Sequence, residues 1–220
     1  MAKGNHPDRK KCMEYLEAYG TPSHVIGHCK SVAAVACRLG EALNNAGGTL
    51  AGSFSSIRMK EFTREDGRTA YVQDHSFDTC RTEPRLFDIE LIRASGLLHD
   101  MARVEERHWD VCADWCRDMG YPEEEQIIRV HMMYQYTNDA AHLTEADLVS
   151  LGDRLSLEDH YAGLDLRMDY IIKKAERHGA PGAREAILKR KEETRKLLEA
   201  IEHRIGMTID ELMKDIDYEN

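Results

Sequence analysis

Apolar residues recur at intervals of three and four from position 25 onward: Val25, Cys29, Val32, Val35, Ala36, Leu39 and Leu43 fall on one face of a 3.6-residue period. Thr21-Pro22 supplies a start, with Thr as N-cap and Pro at the first helical position, and Gly47-Gly48 supplies a stop. A shorter helix is expected before it, over about 8–19, ended by Gly20. The period then fails over 49–84, where Ser, Gly, Thr and charged residues dominate; a stretch that long is an insertion rather than a connection. Within it, 57–63 and 68–73 flank Asp66-Gly67, a pair suited to the turn of a β-hairpin.

Helical periodicity resumes at Asp88, an N-cap candidate ahead of Leu91, Ile92, Ser95 and Leu98, and the run ends in His99-Asp100. Further helices are expected over 108–119, over 122–131 with Pro122 at its first position, and over 144–155 behind Thr144-x-x-Asp147. Three more follow, over 164–177, 182–205 and 208–216, the last behind Thr208-x-x-Glu211. The expected fold is therefore all-α, one domain over 1–220 with a core at about 21–177 and the helices of 182–216 packed on it. Ile187, Leu188, Leu197, Leu198, Ile201 and Ile205 form one side of the long penultimate helix, which either covers that core or joins two subunits as a homodimer.

Composition supports helices: charged residues make up 32% of the 220 and aromatics 7%. A net charge of -10 argues against non-specific binding to nucleic acid or to anionic lipid, since both are polyanions. A phosphorylated substrate would need a locally positive pocket or a metal. Residues 1–11 are polar and basic, and nowhere do about eighteen apolar residues run together, so a cytoplasmic protein without a membrane span is expected. Cys12, Cys29, Cys37, Cys80, Cys112 and Cys116 form no C-x-x-C pair and are expected as reduced thiols, with Cys112 and Cys116 as small buried side chains one turn apart.

A His-Asp doublet alone says little, because about one would arise by chance at this composition. Its position matters more. His99-Asp100 closes an apolar run, where a buried charge needs compensation, and a divalent metal provides it. His28 continues the stripe of Val32, Val35 and Leu39, and Asp153 lies four residues after Val149 and two before Leu155. Two imidazoles and two carboxylates from three helices make a mixed nitrogen and oxygen site suited to Mn, Fe, Co, Ni or Zn, with Mg also conceivable.

Three segments, 28–33 (His28-Cys29-Lys30-Ser31-Val32-Ala33), 97–103 around His99-Asp100, and 151–155 around Asp153, resemble in order and spacing the three motifs of the HD-domain superfamily. The resemblance covers about 21–177 apart from the insertion and is nearest to bacterial single-domain predicted phosphohydrolases. It implies an HD-type helical bundle in which His28, His99, Asp100 and Asp153 bind the metal. It further implies that His108 and His131 hold a second ion or touch phosphate, giving one or two ions in all. Arg103 stands where many relatives carry a basic residue, whereas some nucleotidases of the superfamily carry a glutamate that this chain lacks. Glu105 and Glu106 lie nearby, and the general acid is left unassigned.

The implied activity is hydrolysis of a small phosphoester, a nucleotide monoester or pyrophosphate, with Asp100, His131 and Arg103 in catalytic roles. Lys30, Arg103, Arg129 and Arg154 are candidate phosphate contacts, each equally explicable as a helix cation paired with the abundant carboxylates. His24, one turn before His28, is expected to flank the site; His75, His142, His160, His178 and His203 are expected at the surface. Two alternatives follow from the same resemblance: a di-iron oxygenase, and a non-catalytic regulator that binds metal or nucleotide.

Overall fold

In the computed structural model of the chain, the residues described are 5–52, 59–63, 69–73, 83–132, 134, 136, 139–177, 179 and 182–219. Among them the order is α1 (Arg9–Tyr19), α2 (Ser23–Asn45), β1 (Met59–Thr63), β2 (Thr69–Gln73), α3 (Ile89–Leu98), α4 (His108–Asp118), α5 (Pro122–Val130), α6 (Glu145–Leu155), β3 (Ser156–Leu157), β4 (His160–Tyr161), α7 (Gly163–Arg177), α8 (Ala183–Ile205) and α9 (Ile209–Leu212). The fold is all-α with small antiparallel β pairs. β1 pairs with β2 from Met59 opposite Gln73 to Thr63 opposite Thr69, as expected of a hairpin; its Asp66-Gly67 lies outside the described residues.

Local chemistry explains most helix starts. The Asp8 carboxylate accepts from the Lys11 N–H at 2.7 Å to cap α1, Asp88 accepts from Glu90 and Leu91 N–H to cap α3, and capping boxes open α6 and α9. The start of α2 is a correction. Thr21 does not cap it; its hydroxyl donates instead to the Met101 carbonyl at 2.8 Å, a tertiary acceptor that ties the entry of α2 to the chain just after His99-Asp100. The final helix is also shorter than expected, ending at Leu212, and Asp215 takes a left-handed φ of 61°.

The ends of the insertion are pinned together. Thr49 and Arg85 exchange backbone hydrogen bonds of 2.7 and 2.8 Å, and the Arg85 guanidinium forks onto the buried Glu145 carboxylate at 2.6 and 2.9 Å. The two ends of the 49–84 stretch therefore meet at one place on the bundle.

α2 is the central element and packs along α3 and α6. Val35, Leu39 and Leu43 of α2 share one apolar cluster with Leu91 and Ile92 of α3, Leu148 and Leu151 of α6, Leu197 and Ile201 of α8, and Ile209 and Leu212 of α9. A second cluster joins Cys12 and Leu16 of α1 to Leu97 and Leu98 of α3, Cys112 and Cys116 of α4, and Ile128 of α5. The five cysteines described are buried free thiols, and Cys80 lies outside the described residues. On α8, Leu197, Leu198 and Ile201 are buried, whereas Leu188 is exposed.

Two glycines set how closely the three site-bearing helices approach. A methyl added at Gly96 of α3 would lie 2.8 Å from the Ala33 Cα, and one at Gly152 of α6 would lie 2.6 Å from the Val32 carbonyl oxygen. Backbone thus meets backbone on the small-residue run of α2. The contacts sit three residues before His99 and one before Asp153, so they bring both to the His28 end of α2.

Candidate metal centre

Asp100 lies at the centre of a buried cluster of imidazoles. His28, His99 and Asp100 offer ligand atoms that all lie within 4.8 Å of one another, and so do Asp100, His108 and His131. Asp100 belongs to both triads. His28 comes from α2, His99 and Asp100 from the turn that ends α3, His108 from the first position of α4, and His131 from the end of α5. Asp153, on α6, adjoins through His28, whose Nε2 is 3.1 Å from Asp153 Oδ1 and 3.9 Å from Asp100 Oδ2.

Second contacts orient the rings. His99 Nδ1 lies 2.8 Å from the Gly96 carbonyl, His131 Nδ1 2.7 Å from the Ile128 carbonyl, and His28 Nδ1 3.2 Å from the Glu158 carbonyl. A carbonyl only accepts, so each Nδ1 carries the proton and each Nε2 is turned toward the carboxylates, as in the outer shell of metal-binding histidines. Nε2 of His99 and Nε2 of His131 are buried with no hydrogen-bond partner among the described residues, and each stands 3.6 Å from an Asp100 oxygen. Donors about 2.1 Å from a common ion stand about 3 to 3.4 Å apart, so this spacing and these orphaned nitrogens fit a divalent cation.

Electrostatics point the same way. Burial pushes His99 down to about 4, which keeps it in the neutral form that metals bind. Burial alone would push Asp100 up, but His99, His108 and His131 around it overrule burial and hold it well below the usual carboxylate range. Asp153 is likewise held low against burial by His28 and Arg167. His131 moves the other way: burial lowers it, and the Asp100 carboxylate more than restores it. Both acids are therefore anionic.

Backbone strain collects at the same place. Arg107, with φ 54°, directly precedes His108, and Glu158, with φ 55°, supplies the carbonyl that orients His28. A side chain in this region costs on the order of 1 kcal/mol. Of the three non-glycine residues with positive φ among those described, two thus adjoin a histidine of the cluster.

The candidate cations divide. Arg103 stays at the centre, its Nη1 3.4 Å from Asp100 Oδ1 and 3.0 Å from His108 Nε2. Lys30 is turned to the C-terminal segment, where it donates to both Glu219 oxygens at 2.7 and 2.8 Å, because it sits two residues and about 200° around α2 from His28. Arg129 is held by Glu125, Asp110 and Asp114 at 2.8, 3.2 and 2.6 Å. Arg154 is buried, donating to the Tyr134 carbonyl at 3.1 Å and to Thr194, with its guanidinium 4.3 Å over the Tyr136 ring. The structure gives these three cations protein partners and leaves only Arg103 of the four in contact with the cluster. His24, Glu105 and Glu106 are exposed, as are His160 and His203; His75 and His178 lie outside the described residues.

Two contributors were not legible in the sequence. Arg167, on α7, donates from Nη2 to Asp153 Oδ1 at 3.0 Å. No motif marks it, and only its place on the helix after the short β3–β4 turn brings it in. The Glu158 carbonyl is a backbone group, for which side-chain identity carries no signal. No family model, no curated protein and no solved structure matches the chain.

Proposed function

We propose that the chain is a metal-dependent phosphohydrolase of the HD type acting on a small phosphoester. One observation carries this reading: a single buried carboxylate, Asp100, is shared by two triads whose His99 and His131 Nε2 atoms have no hydrogen-bond partner among the described residues. The residues of both triads could hold a metal ion. His28, His99, Asp100 and Asp153 would hold one, and Asp100, His108 and His131 a second; nitrogen and oxygen donors suit Mn, Fe, Co, Ni or Zn.

A bound divalent ion would supply Lewis acidity and an activated water for attack on phosphorus. The protein's own part is then largely positional. Asp100 is anionic and orients the imidazoles on both sides of it, and Arg103, more than a third exposed yet in contact with Asp100 and His108, is placed to meet a phosphoryl oxygen. A nucleotide monoester or pyrophosphate is the preferred substrate class, and the cytoplasm the preferred compartment, where the buried thiols stay reduced.

The test is metal analysis of the purified protein, followed by phosphate release from a panel of nucleotides and phosphomonoesters with Mn²⁺. Release that needs the ion and is lost in Asp100→Ala supports the reading. The second triad also favours a dinuclear oxygenase; two bound irons with O₂ consumption and no phosphate release would replace hydrolysis by that chemistry. Tight nucleotide binding without turnover would leave a regulator.

A further inference from the structure

We propose that Arg167 is a substrate-contacting residue that binds the phosphoryl oxyanion beside Asp153, which would make it the partner of Arg103 at the opposite end of the cluster. The inference rests on the phosphohydrolase reading and deepens it. Arg167 meets the His28 and Asp153 side of the centre, and Arg103 meets the Asp100 and His108 side. The two guanidiniums thus bracket the paired triads.

Arg167 is only partly used where it stands. Its contact with Asp153 goes through Nη2, while Nε is buried with no hydrogen-bond partner among the described residues. The Nε–H and Nη2–H bonds lie on the same edge of a guanidinium, the edge that binds carboxylate or phosphate oxygens in pairs. One prong of that fork is on Asp153 and the other is an orphaned buried donor. Buried guanidinium N–H groups are rarely left so, and a tetrahedral oxyanion offers the missing acceptor.

Charge supports the assignment. In a chain of net charge -10, Lys30, Arg129 and Arg154 all have protein partners elsewhere, so an anion entering between Asp100 and Asp153 meets only Arg103 and Arg167 among the described cations in contact with the ligand carboxylates. Arg167 also competes with any ion for Asp153 Oδ1, the oxygen shared with His28. Removing the guanidinium should therefore weaken anion binding without weakening metal binding.

The experiment titrates inorganic phosphate by calorimetry into the wild type, R167A and R167K, each with and without Mn²⁺, and titrates Mn²⁺ separately. Expected is a loss of phosphate affinity in R167A of about ten- to a hundredfold, the range for one charge-assisted hydrogen bond. R167K, which keeps the charge and loses the fork, should recover part of it, and Mn²⁺ should bind R167A as tightly as the wild type or tighter. Equal phosphate affinity in wild type and R167A, absence of phosphate binding by the wild type in both conditions, or parallel loss of Mn²⁺ and phosphate in R167A would overturn the proposal, the last by showing that Arg167 acts only through Asp153. Should R167A fail to fold by circular dichroism, R167Q takes its place in the same titrations. A wild type that binds no Mn²⁺ would end the phosphohydrolase reading, while Arg167-dependent phosphate binding to the metal-free protein would still support the anion site.

Discussion

His108 Nε2 stands 2.9 Å from Asp100 Oδ1, while Asp100 Oδ2 faces His28 and His99 at 3.9 and 3.6 Å. The two oxygens of one carboxylate are thus divided between two sets of imidazoles. Replacing Asp100 by Ala should reduce affinity for divalent ions by more than about a hundredfold, beyond the usual cost of losing an outer-shell partner. Metal content after gel filtration measures this, with circular dichroism expected to show an intact helical fold. Full metal retention in that variant would remove Asp100 from the centre.

His28→Ala and His131→Ala separate the two triads. Each variant keeps three or more ligands of one set and loses one of the other, so ion titration should show one class of site lost and the other preserved. Loss of all bound ion in both variants would mean a single mononuclear site.

The close approach of α6 to α2 gives a test that is read first on stability. In Gly152→Ala the new methyl meets the Val32 carbonyl at 2.6 Å and the Ala36 Cβ at 3.1 Å, and backbone cannot swing aside as a side chain can. Overpacking of this kind costs about 1–3 kcal/mol, or roughly 3–10 °C in Tm for a chain of this size. Because Asp153 is the next residue, metal affinity should fall with it. A thermal melt indistinguishable from wild type would show that the helices separate without cost.

A pH dependence of stability is expected at the N-terminal segment. The His6 imidazole is buried between the Glu124 carboxylate, 2.7 Å from Nδ1, and the carboxylates of Asp88 and Glu123, each 3.6 Å from Nε2. Burial lowers its pKa, but the hydrogen bonds and charge of Asp88 and Glu124 prevail and raise it to about 10. The folded state then holds a proton that the unfolded chain releases near 6.5, so the stabilisation is complete below about 6.5 and is lost as pH rises toward about 10. Hydrogen bonds to charged groups contribute about 1.5–3 kcal/mol. Thermal melts should therefore show a fall in Tm between pH 6.5 and 10 in the wild type that is flattened in His6→Gln; equal slopes would remove His6 as the cause.

The division between what could be read in advance and what could not follows the range of the interactions. Helix starts at Asp8, Asp88, Thr144 and Thr208 were legible because a cap is made within three or four residues of itself. Thr21 misled because its hydroxyl found an acceptor eighty residues away, at Met101. The doublet His99-Asp100 and the stripe position of His28 were legible because helical phase alone turns them toward the core. Helical phase turns Lys30 about 200° from His28, but it does not say what takes up the cations: Lys30 meets Glu219, Arg129 meets Asp110 and Asp114 as well as its helical neighbour Glu125, and Arg154 meets Tyr134 and Thr194.

The sequence by itself thus determined an all-helical chain and the core-facing positions of His28, His99 and Asp100, since both rest on local periodicity and residue type, whereas His108 and His131 were expected only from the family resemblance. Tertiary structure alone decided that Asp100 would be shared by two triads, that Glu158 would lend a carbonyl to His28, and that Arg167 rather than Lys30 would reach the centre. Those outcomes depend on how closely Gly96 and Gly152 let α3 and α6 approach α2 and on where the β3–β4 turn sends α7, and such distances are fixed only when the backbones pack against one another.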